Sequence, residues 1–248
     1  MNARKPRPDW ARFFCESWNV LWYTIGTWLI GDDPSMKWAN MYRIWALVLV
    51  VALCSACSTV PITGRRSMAF LPEAQLTKMS LDSYQKLLSE STLSSSNRQV
   101  KFVQHVGQRL ADATMAYLEA NEYDTSGYDW EFNVIEDDAM ANAFAMPGGK
   151  IAVYTGIFPV TQDDAGLAVV MGHEIAHVLA RHGNERMTQG MITEFGGQAL
   201  SYALQNQPEL TNTLLMTSYG AGVNVGVMLP FSRMHEREAD RIGLTLMR

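Results

Sequence analysis

The sequence predicts an α+β fold, mostly helical with a small three-stranded sheet, and three observations lead there. Asp129–Ile135 alternates apolar and polar residues, with Trp130, Phe132 and Val134 on one face, as a half-buried strand does. Ala139–Met146 and Lys150–Thr155 read as two further strands joined at Pro147-Gly148-Gly149, where Pro followed by Gly suits the central positions of a type II turn. After Pro159 the patterning is helical to the end of the chain, with breaks expected near Gly183, Pro208 and Pro230. Strands grouped together and followed by packed helices, rather than alternating with them, give α+β.

The elements follow in order. Residues 1–40 are rich in Trp and Phe and are expected to be an upstream extension, with the natural start at Met36 or Met41. Next, Arg43 precedes the apolar run Ile44–Leu53 and the exit Ser55-Ala56-Cys57. That order of basic start, short apolar core and small-residue exit is the make-up of a signal peptide, and the run is too short to span a bilayer. The exit resembles a bacterial lipoprotein box, which makes 41–57 the expected leader and Cys57 the expected lipidated residue; Cys54 stands where such boxes usually carry Leu. Residues 58–75 are expected to be a mobile tether, with Pro61, Gly64 and Pro72 as breakers. The domain proper then covers 76–248. Leu76–Leu88 has helical spacing, Ser89–Ser96 is a Ser-rich linker, and Val100, Val103, Val106, Leu110, Ala113 and Tyr117 mark one face of a longer helix. His105 on that helix is expected to be solvated or packed. Glycines recur at 190, 196, 197, 220, 222 and 226; small residues let helices approach closely, in a soluble domain or in a membrane, and the soluble reading is adopted.

Composition narrows the function. The chain has 248 residues, 48% of them apolar and 18% charged, which excludes disorder, a collagen-like chain or a multi-pass membrane protein as the overall state. The first 57 residues carry a net charge of +2 and the remainder −7, so the main domain has no basic footprint for nucleic acid. The three cysteines of the chain are Cys15, Cys54 and Cys57. Beyond residue 57 there is thus no disulfide, thiolate site or catalytic thiol, and any metal there must be held by His, Asp or Glu.

Such a set exists in Thr161–His182. Thr161 with Asp164 resembles a capping box, with Asp163 also near the positive end of the helix. Gly166–Ala180 is apolar nearly all round except for His173, Glu174 and His177, which describes a buried helix whose ionisable groups need partners. His173 and His177 stand one turn apart on one face and can aim two imidazoles at one ion, while Glu174 is rotated by roughly 100° and is suited to act on water. A zinc site of this kind needs a third protein ligand and an open position. In Phe231–Gly243, Glu236 and Asp240 share a helix face, so Glu236 can complete the set with Asp240 orienting a ligand imidazole. The same segment also reads as a solvated, charge-laced helix, with Arg233, Arg237 and Arg241 beside the acids. Helix spacing turns His182 and His235 away from the metal, as structural or solvated residues, and Glu238 points elsewhere.

His173–His177 with Leu179-Ala180-Arg181-His182, then Glu236-Arg237-Glu238-Ala239-Asp240, together resemble metallopeptidase family forty-eight. The stretch Asn142–Lys150 is similar to its bacterial periplasmic lipoprotein branch. The resemblance implies a zincin-like fold, with the sheet beside the helix that carries the motif. It implies one Zn2+ held by His173, His177 and Glu236, Asp240 behind them, and Glu174 as catalytic base of a metalloendopeptidase. It further implies protein or peptide substrates, among them misfolded envelope proteins. The implied location is the bacterial cell envelope, with a lipid anchor in the outer membrane facing the periplasm. Family members usually continue past the third ligand, so a shortened C-terminus is also expected. Substrate is expected to lie extended along a sheet edge, either Asn142, Ala143, Phe144, Ala145 and Met146 or Ile151–Tyr154. Two other readings compete: a binding or chaperone module with a structural zinc, and a lipid-anchored helical scaffold in which the motif is accidental.

Overall fold

Spacing of three and four decides the long helices. In the computed structural model, which describes residues 41, 43–45 and 57–247, Val103, Val106, Leu110, Ala111, Thr114 and Leu118 are buried along one face of a single helix. The expected extension at 1–40 and residues 46–56 of the expected leader lie outside the described residues, as does the Cys57 side chain.

In chain order, β1 is Cys57–Thr59, β2 Arg66–Met68, α1 Glu73–Glu90 and α2 Asn97–Ala120. The sheet strands are β3 Glu131–Ile135, β4 Ala143–Met146 and β5 Lys150–Tyr154. A short α3, Phe158–Thr161, leads into α4 Asp164–Leu179, α5 His182–Leu204, α6 Glu209–Val223 and α7 Leu229–Leu246. The α+β expectation holds.

β5 is the central strand, parallel to β3 and antiparallel to β4. The turn between β4 and β5 is the expected one: Gly149 donates its N–H to the Met146 carbonyl at 3.1 Å, and Gly148 at φ +90° occupies the position that requires positive φ. The outer side of β3 is occupied by the linker before α2, through Ser94 N–H to Val134 O at 2.9 Å and Glu136 N–H to Thr92 O at 2.8 Å. Among the described residues β4 therefore supplies the unpaired edge. Ile151–Tyr154 is flanked on both sides and is corrected as a candidate edge.

One face of the sheet and α2 enclose α4, with Leu167, Met171, Ile175 and Leu179 fully buried. Each such side chain contributes about 1.5–3 kcal/mol. Tyr84 of α1 covers the other face and donates to the Ile151 carbonyl at 2.7 Å.

Three expectations are corrected. Residues 58–75 are not a free tether. β1 and β2 pair as a hairpin, Val60 is buried, and Phe70 and Leu71 bond to Thr188 and Asn184 of α5. The N-cap of α4 is Asp163, whose carboxylate accepts from Gly166 N–H at 2.8 Å, whereas Thr161 closes α3. Pro230 does not break the helix. The wider π-helical turn Asn224–Met228 accommodates the missing N–H, so helix runs from Glu209 to Leu246.

Candidate metal centre

α4 brings the two motif histidines together and α7 supplies the carboxylates. Gly243 makes this possible: a Cβ there would lie 3.1 Å from the Gly172 carbonyl and 3.2 Å from the His173 nitrogen, so the two helix backbones meet beside the motif. Gly243, Asp240 and Glu236 are spaced along one face of α7, and that contact sets both acids against His173.

The distances fit one ion. His173 Nε2 and His177 Nε2 are 3.0 Å apart, and Glu236 oxygens lie 3.2 Å and 3.6 Å from them. Ligand atoms about 3.3 Å apart are what a tetrahedral zinc with bonds near 2.0–2.1 Å would have. Among the described residues this is the group of His, Cys, Asp and Glu whose ligand atoms converge, all within 4.8 Å. The Glu236 side chain is half exposed, which leaves the outward side open to a further ligand. Asp240 Oδ1 accepts from His173 Nδ1 at 2.9 Å and so turns Nε2 inward. Burial, against the pull of the Glu236 carboxylate, pushes His177 down to about 4, which keeps the imidazole in its neutral, ligating form.

Glu174 does not join the cluster. With His173, Asp240, Val169, Val170, Gly243 and Leu244 it lines an open cavity of about 390 Å³ beside it. Burial raises the Glu174 carboxyl above the usual range, while His173, Arg186 and the Ala145 N–H pull the other way. That last group places Glu174 at the β4 edge. Tyr154 N–H bonds to the Asn142 carbonyl at 3.0 Å, so residues 142, 144 and 146 face β5. Ala143 and Ala145 turn their main-chain groups outward, where Asn142 Oδ1 takes the Ala143 N–H at 2.9 Å and Glu174 the Ala145 N–H, leaving their two carbonyls.

Sequence spacing missed the layer behind the metal cluster. α4 ends at Leu179, and Arg181 adopts φ 56°, a left-handed turn that folds α5 back. His182 consequently returns to His177, with 2.9 Å between their Nδ1 atoms, rather than pointing from another face of the same helix. His182 Nε2 donates to Glu238 at 3.0 Å, His235 stacks on His182 with ring centroids 4.1 Å apart, and His235 Nε2 bonds to Glu185 at 3.0 Å. Arg65, from the β1–β2 hairpin, ties both carboxylates: its Nε lies 2.7 Å from Glu238 and its terminal nitrogens grip Glu185 at 2.7 Å and 3.0 Å. Thr63 also donates to Glu238. Burial alone would raise both acids, but His235 and Arg65 hold Glu185 at about 2, and Thr63, His182 and Arg65 hold Glu238 below its ordinary value. His182 is pushed down to about 4 by burial, against its bond to Glu238. α7 is therefore not a solvated charged helix on this side. The break expected near Gly183 was the available signal for His182; nothing in the sequence marked Arg65. His105 is exposed, 4.0 Å from Asp164, and outside the site.

Comparison with known proteins matches residues 98–248 to the description "Peptidase family M48". The mitochondrial metalloendopeptidase OMA1 of Schizosaccharomyces pombe is 34% identical over 192 residues, which is 76% of this chain and 51% of that protein. Human mitochondrial OMA1 is 26% identical over 82% of this chain and 38% of its own length. The beta-barrel assembly-enhancing protease of Escherichia coli is 26% identical over 79% of this chain and 39% of its own. The chain thus spans about half, or less, of these relatives. Their names correct the expected localisation: relatives named for the mitochondrion match at up to 38%, above the bacterial protease at 26%, and a lipid-anchored protein of the bacterial outer membrane is not supported.

Proposed function

This chain belongs to peptidase family M48, and we propose that it is a zinc metalloendopeptidase whose metal is held by His173, His177 and Glu236. The observation that carries the reading is the convergence of those three ligand atoms with Glu174 one residue along the same helix. A zinc ion bound there supplies Lewis acidity to water and to the scissile carbonyl.

The chain's own groups do the rest. Asp240 fixes the ring of His173, and His182 fixes that of His177. Glu174, its affinity for protons raised by burial, takes a proton from the attacking water and returns it to the leaving nitrogen. The outer edge of β4 supports an extended peptide, which donates to the outward carbonyls of Ala143 and Ala145. That geometry recognises backbone rather than one side chain, which suits unfolded or misassembled proteins as substrates. The name of the Escherichia coli relative, a protease that enhances beta-barrel assembly, supports a quality-control setting for the same chemistry.

The test is Glu174→Gln in the full chain. Zinc content should stay at one per chain while casein cleavage is lost. Cleavage retained by that variant would remove Glu174 as the base. A parent that holds zinc without cleaving any substrate would instead favour the binding module with a structural metal.

A further inference from the structure

The longest helical stretch carries a surface that the metal site does not use. From Leu210 through Ser232 there is no charged side chain, and between Glu194 and Arg233 the one charge is Glu209 at the turn from α5 to α6. At 1.5 Å per residue the uncharged run is about 35 Å long, against roughly 30 Å for the hydrocarbon of a bilayer. A core helix can have that composition, but no residue of α6 is buried. Leu210, Leu214 and Val225 stand open along it, and Phe195 and Tyr202 stand open on α5, which is held to α6 by Tyr219 donating to the Thr193 carbonyl at 2.7 Å.

A groove on a soluble protein recognises one apolar stripe with charge opposite, whereas this stretch is uncharged on every side, with small hydroxyl and amide side chains among the apolar ones, a composition that suits a core or lipid. Among the described residues none forms a core around it. Exposed apolar surface of this extent marks an interaction site. The charges bound it at Glu194, Glu209 and Arg233, where headgroups and water can solvate them.

We propose that the hairpin formed by the second half of α5, α6 and the π-helical turn is a lipid-contacting element, which sinks its apolar sides into a bilayer. Because α6 continues into α7, which carries Glu236, this holds the cleft at a membrane surface. The inference rests on the hairpin's surface and does not depend on zinc or on turnover.

The experiment uses the full chain with Cys15, Cys54 and Cys57 replaced by Ser. An environment-sensitive nitrobenzoxadiazole probe is attached at Leu214→Cys or Val225→Cys, and at Met79→Cys on α1 as an exposed reference. Circular dichroism first confirms that each variant is folded. With phosphatidylcholine vesicles, the hairpin probes should shift to the blue, lose most of their quenching by aqueous iodide, and be quenched at least twofold by nitroxide-labelled lipid, while the probe at 79 shows none of these. Because the readout is local, a membrane-bound N-terminus cannot produce it. Hairpin probes that behave like position 79 would overturn the proposal. So would probes shielded from iodide yet untouched by nitroxide lipid, which would mean that protein covers this face.

Discussion

His182 and His177 face each other through their Nδ1 atoms at 2.9 Å, and this fixes where both protons sit. His177 Nε2 is turned to the metal position, 3.0 Å from its counterpart on His173, so its proton is on Nδ1. His182 must then accept at Nδ1, carry its own proton on Nε2 and donate it to Glu238, at 3.0 Å. Only this assignment satisfies all three contacts, and it orients a ligand imidazole through a second imidazole that is itself anchored by a carboxylate.

His182→Ala should therefore weaken zinc binding by about 10–100-fold, the usual cost of losing a partner that orients a ligand. Competition with a chelator at neutral pH measures it. Unchanged affinity in a folded variant would show that His177 needs no such support.

What was legible in the sequence and what was not divide along one line. Contacts within a helix follow from spacing: His173 and His177 needed only 3.6 residues per turn, and the turn at Gly148 only the steric freedom of glycine. Glu236 and Asp240 could be nominated by a shared face, but their approach to His173 depends on Gly243 lying against Gly172, a packing contact between distant segments. His182 was misjudged because its position was projected along a continuous helix, whereas the left-handed Arg181 ends it. The segment around Arg65 read as a tether because breakers and polar residues dominate it, and the carboxylates that hold it lie more than a hundred residues away.

Arg65 is the one cation between two buried carboxylates, Glu185 and Glu238, among the contacts described for them. Arg65→Met should cost about 3–5 kcal/mol, since it strands like charges in the interior. Urea unfolding of the chelated protein reads it. Adding Glu185→Gln and Glu238→Gln in the same chain should recover much of the loss; if it does not, Arg65 matters for packing rather than charge.

Glu185 predicts a pH dependence. Its folded value of about 2 lies below the ordinary 4.5, so its stabilisation is fully present above about 4.5 and is lost as pH falls toward 2. The side chain is buried, and the shift corresponds to at most about 3 kcal/mol. Glu185→Gln should lower stability at pH 7 and flatten the acid limb between those two values. Parallel parent and variant curves across that range would refute the assignment.

Gly243 gives the sharpest test of how the fold builds the site. A methyl group there meets backbone, not flexible side chain, at 3.1–3.2 Å, so α7 must move by a few tenths of an ångström. Metal sites tolerate about 0.2 Å in ligand position. Because Glu236 and Asp240 lie on the same face of α7, they move with it, away from His173. Gly243→Ala should cost about 1–3 kcal/mol in stability through overpacking and reduce zinc affinity roughly tenfold. Thr245→Ala, which removes only a bond to the Arg241 carbonyl of the same helix, should change zinc affinity little. If Gly243→Ala loses stability but binds zinc as the parent does, the carboxylates are positioned by something other than the α4–α7 contact.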